Sequence, residues 1–211
     1  YLILPLAFTP VMTIMDLHNF SRFHRANLIN SISGFKPVSL IATIDKNGNT
    51  NLAIFSNIIH LGADPALVGF INRPREAAPH TLANIEATGS YTINHIHEEI
   101  IEKAHQTSAK YGQEISEFEA AGLTPEFIPE TTAPFVKESK VKYSLGLVEI
   151  IPIKHNNTFL IIGSIQHLLF PPEILAEDGF LDLTQAGSIC SLGIDAYYKT
   201  SFLKRLPYAK P

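Results

Sequence analysis

The sequence predicts a mainly β protein with peripheral α-helices, folded as an antiparallel barrel. Apolar runs enriched in β-branched residues recur at 38–44, 52–61, 66–72, 91–95, 140–151 and 158–170. The turn sequences Asp45-Lys46-Asn47-Gly48-Asn49 and His155-Asn156-Asn157 suit hairpins, and therefore antiparallel pairing. Helical segments fall between the strands without the regular alternation that a parallel sheet requires.

In chain order, residues 1–12 (YLILPLAFTPVM) are apolar but broken by Pro5 and Pro10, and no basic residue precedes them. They are too short to span a bilayer and lack a signal-peptide pattern, so residues 1–15 are expected to lie as a strap on the body or on a partner subunit. Asp16 suits the N-cap of a helix over 16–29, with Leu17, Phe20, Phe23 or His24, and Leu28 on one face. The Asn-Gly hairpin then joins 38–44 to 52–61, whose second strand carries Ser56 and Asn57 towards its end.

Asp64-Pro65 turns the chain into strand 66–72, apolar on both faces and therefore interior to a sheet. Prolines make 73–79 a loop, and a short helix opens at His80 and Thr81 and closes at Gly89. After strand 91–95, residues 98–122 form a charged helical insertion, interrupted near Tyr111-Gly112, whose polar run 105–111 is placed to close over a ligand. Residues 122–134 read as proline-spaced coil with one short strand. Two long strands follow, Pro171-Pro172 stops the second, and 171–211 is a C-terminal extension. Neither a repeat nor a low-complexity linker divides the chain, so one domain over 1–211 is expected.

With 211 residues, 45% hydrophobic and 17% charged, the chain can bury a core. A net charge of −4 gives no basic excess to attract nucleic acid or a membrane surface. The single cysteine, Cys190, excludes an internal disulfide framework and a Cys-x-x-Cys site, which suits a reducing, cytoplasmic setting.

The stretch from Asn51 to Gly89 carries the chemistry. A helix start presents unpartnered N–H groups and partial positive charge, and so attracts an anion such as phosphate. Arg73, His80 and Thr81 each add a bond to that anion, at about 1.5–3 kcal/mol when charge-assisted.

The order Asn51-Leu52-Ala53-x-Phe55-Ser56-Asn57, then Asp64-Pro65, Asn72-Arg73-Pro74 and Thr81-Leu82-x-Asn84-Ile85 resembles the flavin reductase-like family. The ends Gly193-Ile194-Asp195-Ala196-Tyr197-Tyr198 and Arg205-Leu206-Pro207-Tyr208-Ala209-Lys210-Pro211 resemble the tails of its flavoredoxin-like branch, so the resemblance runs from about Asn27 onward. Two positions depart from the family pattern. Ala66 stands for the second proline of its turn, and His80 stands where Arg or Lys precedes the threonine, so Arg73 or Arg75 must supply that charge.

The resemblance implies an antiparallel Greek-key split β-barrel that binds FMN. It puts the isoalloxazine edge near Ile54, Phe55, Ser56 and Asn57, with Phe55 or Ile58 excluding water. It puts the phosphate near Arg73, His80, Thr81 and Asn84. It implies a homodimer with flavin near the subunit boundary and NADH or NADPH as transient co-substrate of a flavin reductase; the alternative is a flavoredoxin-like electron carrier. No catalytic side chain is expected, because hydride transfer between stacked rings needs positioning and dryness rather than a nucleophile. A more distant alternative is a cupin-like metal site. His95 and His97, on one strand face, would act with Glu102, although the glycine after the glutamate and the second cupin signature are missing.

Overall fold

A computed structural model describes residues 13–112 and 114–210, so the strap expected at the N-terminus lies almost entirely outside the described residues. The elements are α1 (Ile14–His18), α2 (Arg22–Ile32), β1 (Lys36–Pro37), β2 (Ser39–Ile44), β3 (Thr50–Phe55), β4 (Ile59–Ala63), β5 (Ala66–Asn72), α3 (Pro79–Thr88) and β6 (Ser90–His95). A 3-10 turn (Glu98–Ile100) leads to α4 (Ile101–Gln106), α5 (Glu117–Ala121), β7 (Pro125–Glu126), β8 (Phe135–Val136), β9 (Lys142–Ile153), β10 (Thr158–Leu169), β11 (Ile189–Leu192) and β12 (Ala196–Lys199).

Seven strands form one antiparallel sheet in the order β3-β2-β6-β9-β10-β5-β4. β2 is buried on both faces, which explains its continuous apolar reading. Leu40 and Ala42 face a cluster with Leu52, Ile96, Phe118 and Val136. Ile41 faces the other, with Phe55, Phe70, Leu82, Ile85, Tyr91 and Leu145. Burial of side chains this size contributes about 1.5–3 kcal/mol each. Leu82 and Ile85 belong to α3, so the same packing that closes this side of the barrel fixes where that helix begins.

Several expected boundaries move. The helix over 16–29 is two helices. Thr13, not Asp16, caps α1, with Asp16 reaching back in a capping box, and Ser21 caps α2 by accepting from the His24 N–H at 3.3 Å. The apolar face expected there has no buried residue in α2, and Phe23 is 77% exposed.

The strand over 52–61 is also two strands, β3 and β4, which lie at opposite ends of the strand order. Its break is set by Asn57. Asn57 Nδ2 donates to the Ile71 carbonyl at 3.0 Å and its Oδ1 accepts from the Ile71 N–H at 3.0 Å, so a side chain takes the place of a ladder partner.

The insertion 98–122 is helical only in its outer parts, with 107–116 irregular among the described residues. The extension past residue 171 folds back. β11 pairs with β1 and β12, and the Ile189 N–H donates to the Ile96 carbonyl at 3.1 Å. Among the described residues no helix is long and apolar enough to cross a membrane.

Candidate functional site

A cleft of about 390 Å³ opens where four pieces of chain meet: the end of β3, the loop from Arg73 into α3, the 105–111 segment, and the β11–β12 turn. Its size suits a small organic ligand.

The first wall is β3 and the residues after it. Ile54, Phe55, Ser56 and Asn57 all line the cleft. Phe55 is buried and packs edge-on against Phe70 with ring centroids 5.0 Å apart, so this wall is rigid and dry. The Ser56 hydroxyl makes no hydrogen bond among the described residues, whereas the Asn57 amide is committed to Ile71. Because β3 ends the strand order, its outward N–H groups need acceptors from elsewhere. Glu117 supplies one, its Oε2 accepting from the Leu52 N–H at 3.1 Å.

The second wall is the start of α3. Pro79 occupies the first turn and Ala78 the N-cap, and among the described residues no side chain caps the helix. Proline suits that position because its missing N–H has no partner there anyway. The amides of the first turn are therefore left for another acceptor, and His80 and Thr81 of that turn line the cleft. Thr81 is buried and its Oγ1 accepts from Asn51 Nδ2 at 3.2 Å. Arg73 lines the cleft and has no ion pair among the described residues.

Two residues considered for the phosphate end stand elsewhere. Asn84 does not line the cleft; its Nδ2 donates to Thr43 Oγ1 at 3.1 Å, because the helix turns that face onto β2. Arg75 is held by Glu86 in a forked pair and lies over the Phe159 ring, 5.0 Å from its centroid. That bond raises the Arg75 pKa and lowers that of Glu86. Of the two arginines weighed for the missing charge, only Arg73 reaches the cleft.

The third and fourth walls come from segments whose roles the sequence leaves largely silent. The polar run 105–111 lines the cleft, and so do Ser191, Gly193, Ile194 and Tyr197 from the β11–β12 turn. His105 Nδ1 lies 2.7 Å from the Tyr197 hydroxyl and joins these two walls. Burial, and then the Asp195 carboxylate, raise the Tyr197 pKa, so its phenol keeps its proton. The Ser191 hydroxyl is buried and has no hydrogen-bond partner among the described residues.

The histidines of the alternative metal set point to other tasks. His95 Nδ1 is 3.2 Å from Ser188 Oγ, and His97 Nε2 is 2.9 Å from the Glu138 carbonyl. Glu102 lies on α4, exposed. Among the described residues, no group of three His, Cys, Asp or Glu side chains is placed to hold a metal ion.

Solved structures share this architecture. A candidate flavin reductase with a split barrel domain from Shewanella frigidimarina NCIMB 400 is 47% identical, with a TM-score of 0.92 over 95% of this chain and 100% of that one. Nitrilotriacetate monooxygenase component B from Bacillus cereus is 20% identical, with a TM-score of 0.82 over 94% and 100% of the two chains. The flavoredoxin of Desulfovibrio vulgaris (Miyazaki F) is 21% identical, with a TM-score of 0.72 over 83% and 92%. The last two show a common fold, and all three agree with the antiparallel split barrel expected from the sequence. Residues 35–186, well over half the chain and the whole of the main sheet, match the profile of the flavin reductase like domain, and the chain belongs to that family.

Proposed function

We propose that the cleft binds FMN and that the protein is an NAD(P)H-dependent flavin reductase. The observation that carries this reading is the uncapped first turn of α3, opening onto the cleft beside Arg73, His80 and Thr81. That constellation suits a phosphate monoester: backbone donors and a helix dipole from the chain, with a guanidinium that no carboxylate neutralises among the described residues. The β3 wall suits a planar heterocycle. Ile54 and Phe55 exclude water, and the unengaged Ser56 hydroxyl is available to a polar ring edge.

When bound, FMN supplies the redox chemistry. Arg73, His80 and Thr81 would hold its phosphate end, and Ile54, Phe55 and Ser56 its ring end and keep it dry. Hydride transfer asks for that positioning and for no acid or base from the protein. The relatives support the reading by name, being a candidate flavin reductase and a flavoredoxin. Oxidation of NADH or NADPH by the FMN-loaded protein supports the reductase. Flavin binding without oxidation of either nucleotide assigns the electron-carrier role instead.

A homodimer is part of the same reading. Residues 200–210 have no helix or strand, and Phe202, Leu203, Leu206 and Tyr208 are exposed along them. Apolar side chains strung on an extended tail are suited to cover a second copy. The lone Cys190 fits a reducing, cytoplasmic setting.

A further inference from the structure

We propose that His105, Tyr197 and Ile194 form the seat of a second planar ring carrying a carbonyl group, whose oxygen accepts a hydrogen bond from His105 Nε2–H. The inference rests on the flavin reading of the cleft and extends it to the second substrate. One part of the argument is where the wall comes from. The family profile ends at residue 186, yet the cleft lining continues through Ser191, Gly193, Ile194 and Tyr197. Ile194 and Tyr197 therefore lie past the matched residues, while His105, the proposed donor, lies within them.

The other part is hydrogen-bond accounting. Among the described residues the Tyr197 hydroxyl has one partner, His105 Nδ1 at 2.7 Å. The pair has two arrangements, the Tyr197 O–H donating to Nδ1 or Nδ1–H donating to the phenol oxygen; the proposed seat uses the first, which puts the imidazole proton on Nε2, an atom with no partner among the described residues. The ring planes of the two residues are nearly perpendicular, with centroids 5.7 Å apart, so packing as well as the hydrogen bond holds the imidazole. Ile194, 45% exposed, adds an apolar surface to the same wall.

A fixed N–H donor beside an apolar side chain recognises a flat ring with a carbonyl substituent. Two sources have that chemistry: the carboxamide of a nicotinamide and the carbonyl of a quinone acceptor.

The test uses the FMN-loaded protein and the variants His105→Ala, His105→Gln and Tyr197→Phe. FMN affinity is measured by fluorescence quenching. Binding of NAD⁺, NADP⁺ and a naphthoquinone is followed by perturbation of the flavin absorption band, with the flavin oxidised so that no turnover occurs. Each ring ligand is titrated at an FMN concentration that saturates the variant concerned, so that a change in FMN affinity does not enter the comparison. His105→Ala is expected to weaken one ring ligand by roughly 3- to 10-fold, the size of one hydrogen bond. His105→Gln, which retains an N–H donor, should recover most of that loss, and Tyr197→Phe should fall between. A loss for the dinucleotides names the carboxamide, and a loss for the quinone names the acceptor. The proposal is overturned if FMN binds normally while neither ring ligand binds the wild type, or neither responds to His105→Ala and Tyr197→Phe, or His105→Gln recovers nothing. Should His105→Ala fail to fold, Tyr197→Phe decides alone. A wild-type protein that does not bind FMN overturns the flavin reading itself.

Discussion

Asn51 Nδ2 donates a 3.2 Å hydrogen bond to Thr81 Oγ1, and both side chains are buried, so the outermost strand of the sheet is tied to the first turn of α3. The bond holds the two walls of the cleft in one spacing. Since Thr81 accepts here, its own hydroxyl proton is left to donate to a ligand. Asn51→Ala is therefore expected to cost about 1–2 kcal/mol of stability in urea unfolding, through the unpaired threonine. It is also expected to weaken FMN. Unchanged values of both quantities would show that the walls are spaced by something else.

Gly163 in β10 faces the Tyr91 ring across the barrel interior. A Cβ placed there would stand 2.3 Å from Tyr91 Oη, 2.9 Å from its Cζ and 3.0 Å from Leu145 Cβ. The tyrosine ring is fully buried and has little room to retreat, so Gly163→Ala is expected to destabilise by about 1–3 kcal/mol. The Tyr91 hydroxyl is buried without a hydrogen-bond partner among the described residues, so Tyr91→Phe should be nearly neutral and should recover part of the loss in the double variant. Additive destabilisation in that cycle would contradict the contact.

His95 predicts a pH dependence of stability. Burial pushes its pKa from 6.5 down to about 4, so the folded protein holds it neutral. Between those values the unfolded chain binds the proton and the folded one does not, and stability therefore rises with pH across that window. Its contribution is complete above about pH 6.5 and is lost as the pH falls towards 4, by at most about 3 kcal/mol. Unfolding of the wild type and His95→Gln at several pH values isolates this slope from that of the carboxylates. Equal slopes would remove His95 as its source.

The exposed tail gives a test of assembly. Leu203 and Leu206 are 89% and 74% exposed, so replacing both by serine should leave the melting temperature of the fold itself unchanged. Sedimentation should then show a shift from dimer to monomer. A wild type that is monomeric at every concentration would contradict the proposed dimer.

Local chemistry was legible in the sequence wherever it decides structure. Ala66–Asn72 forms a strand over its full expected length because a proline turn and a proline loop bound an apolar run. Gly89 closes α3 with φ of 68°, a conformation that glycine adopts without steric cost. The break at Ser56 was hidden, since it comes from Asn57 binding Ile71, fourteen residues away, in a run whose apolar character continues unbroken. Thr13 and Ser21 outcompeted Asp16 as caps by geometry that composition does not reveal. In the cleft, the β3 end and the α3 start follow from motif order. The β11–β12 wall depends on β11 pairing with β1 across about 150 residues of chain, and only its resemblance to a family tail marked it. Asn84 fell away because its position on α3 directs it to Thr43 on the sheet.

Equilibrium titration of the ligand-free protein with FMN, FAD and riboflavin, in wild type and Arg73→Ala, tests the central claim most directly. FMN should bind at least tenfold more tightly than riboflavin, and Arg73→Ala should remove most of that advantage while leaving riboflavin unchanged, as one charge-assisted phosphate contact requires. Riboflavin binding as tightly as FMN, or an arginine variant that weakens both equally, would contradict a phosphate seated at the start of α3.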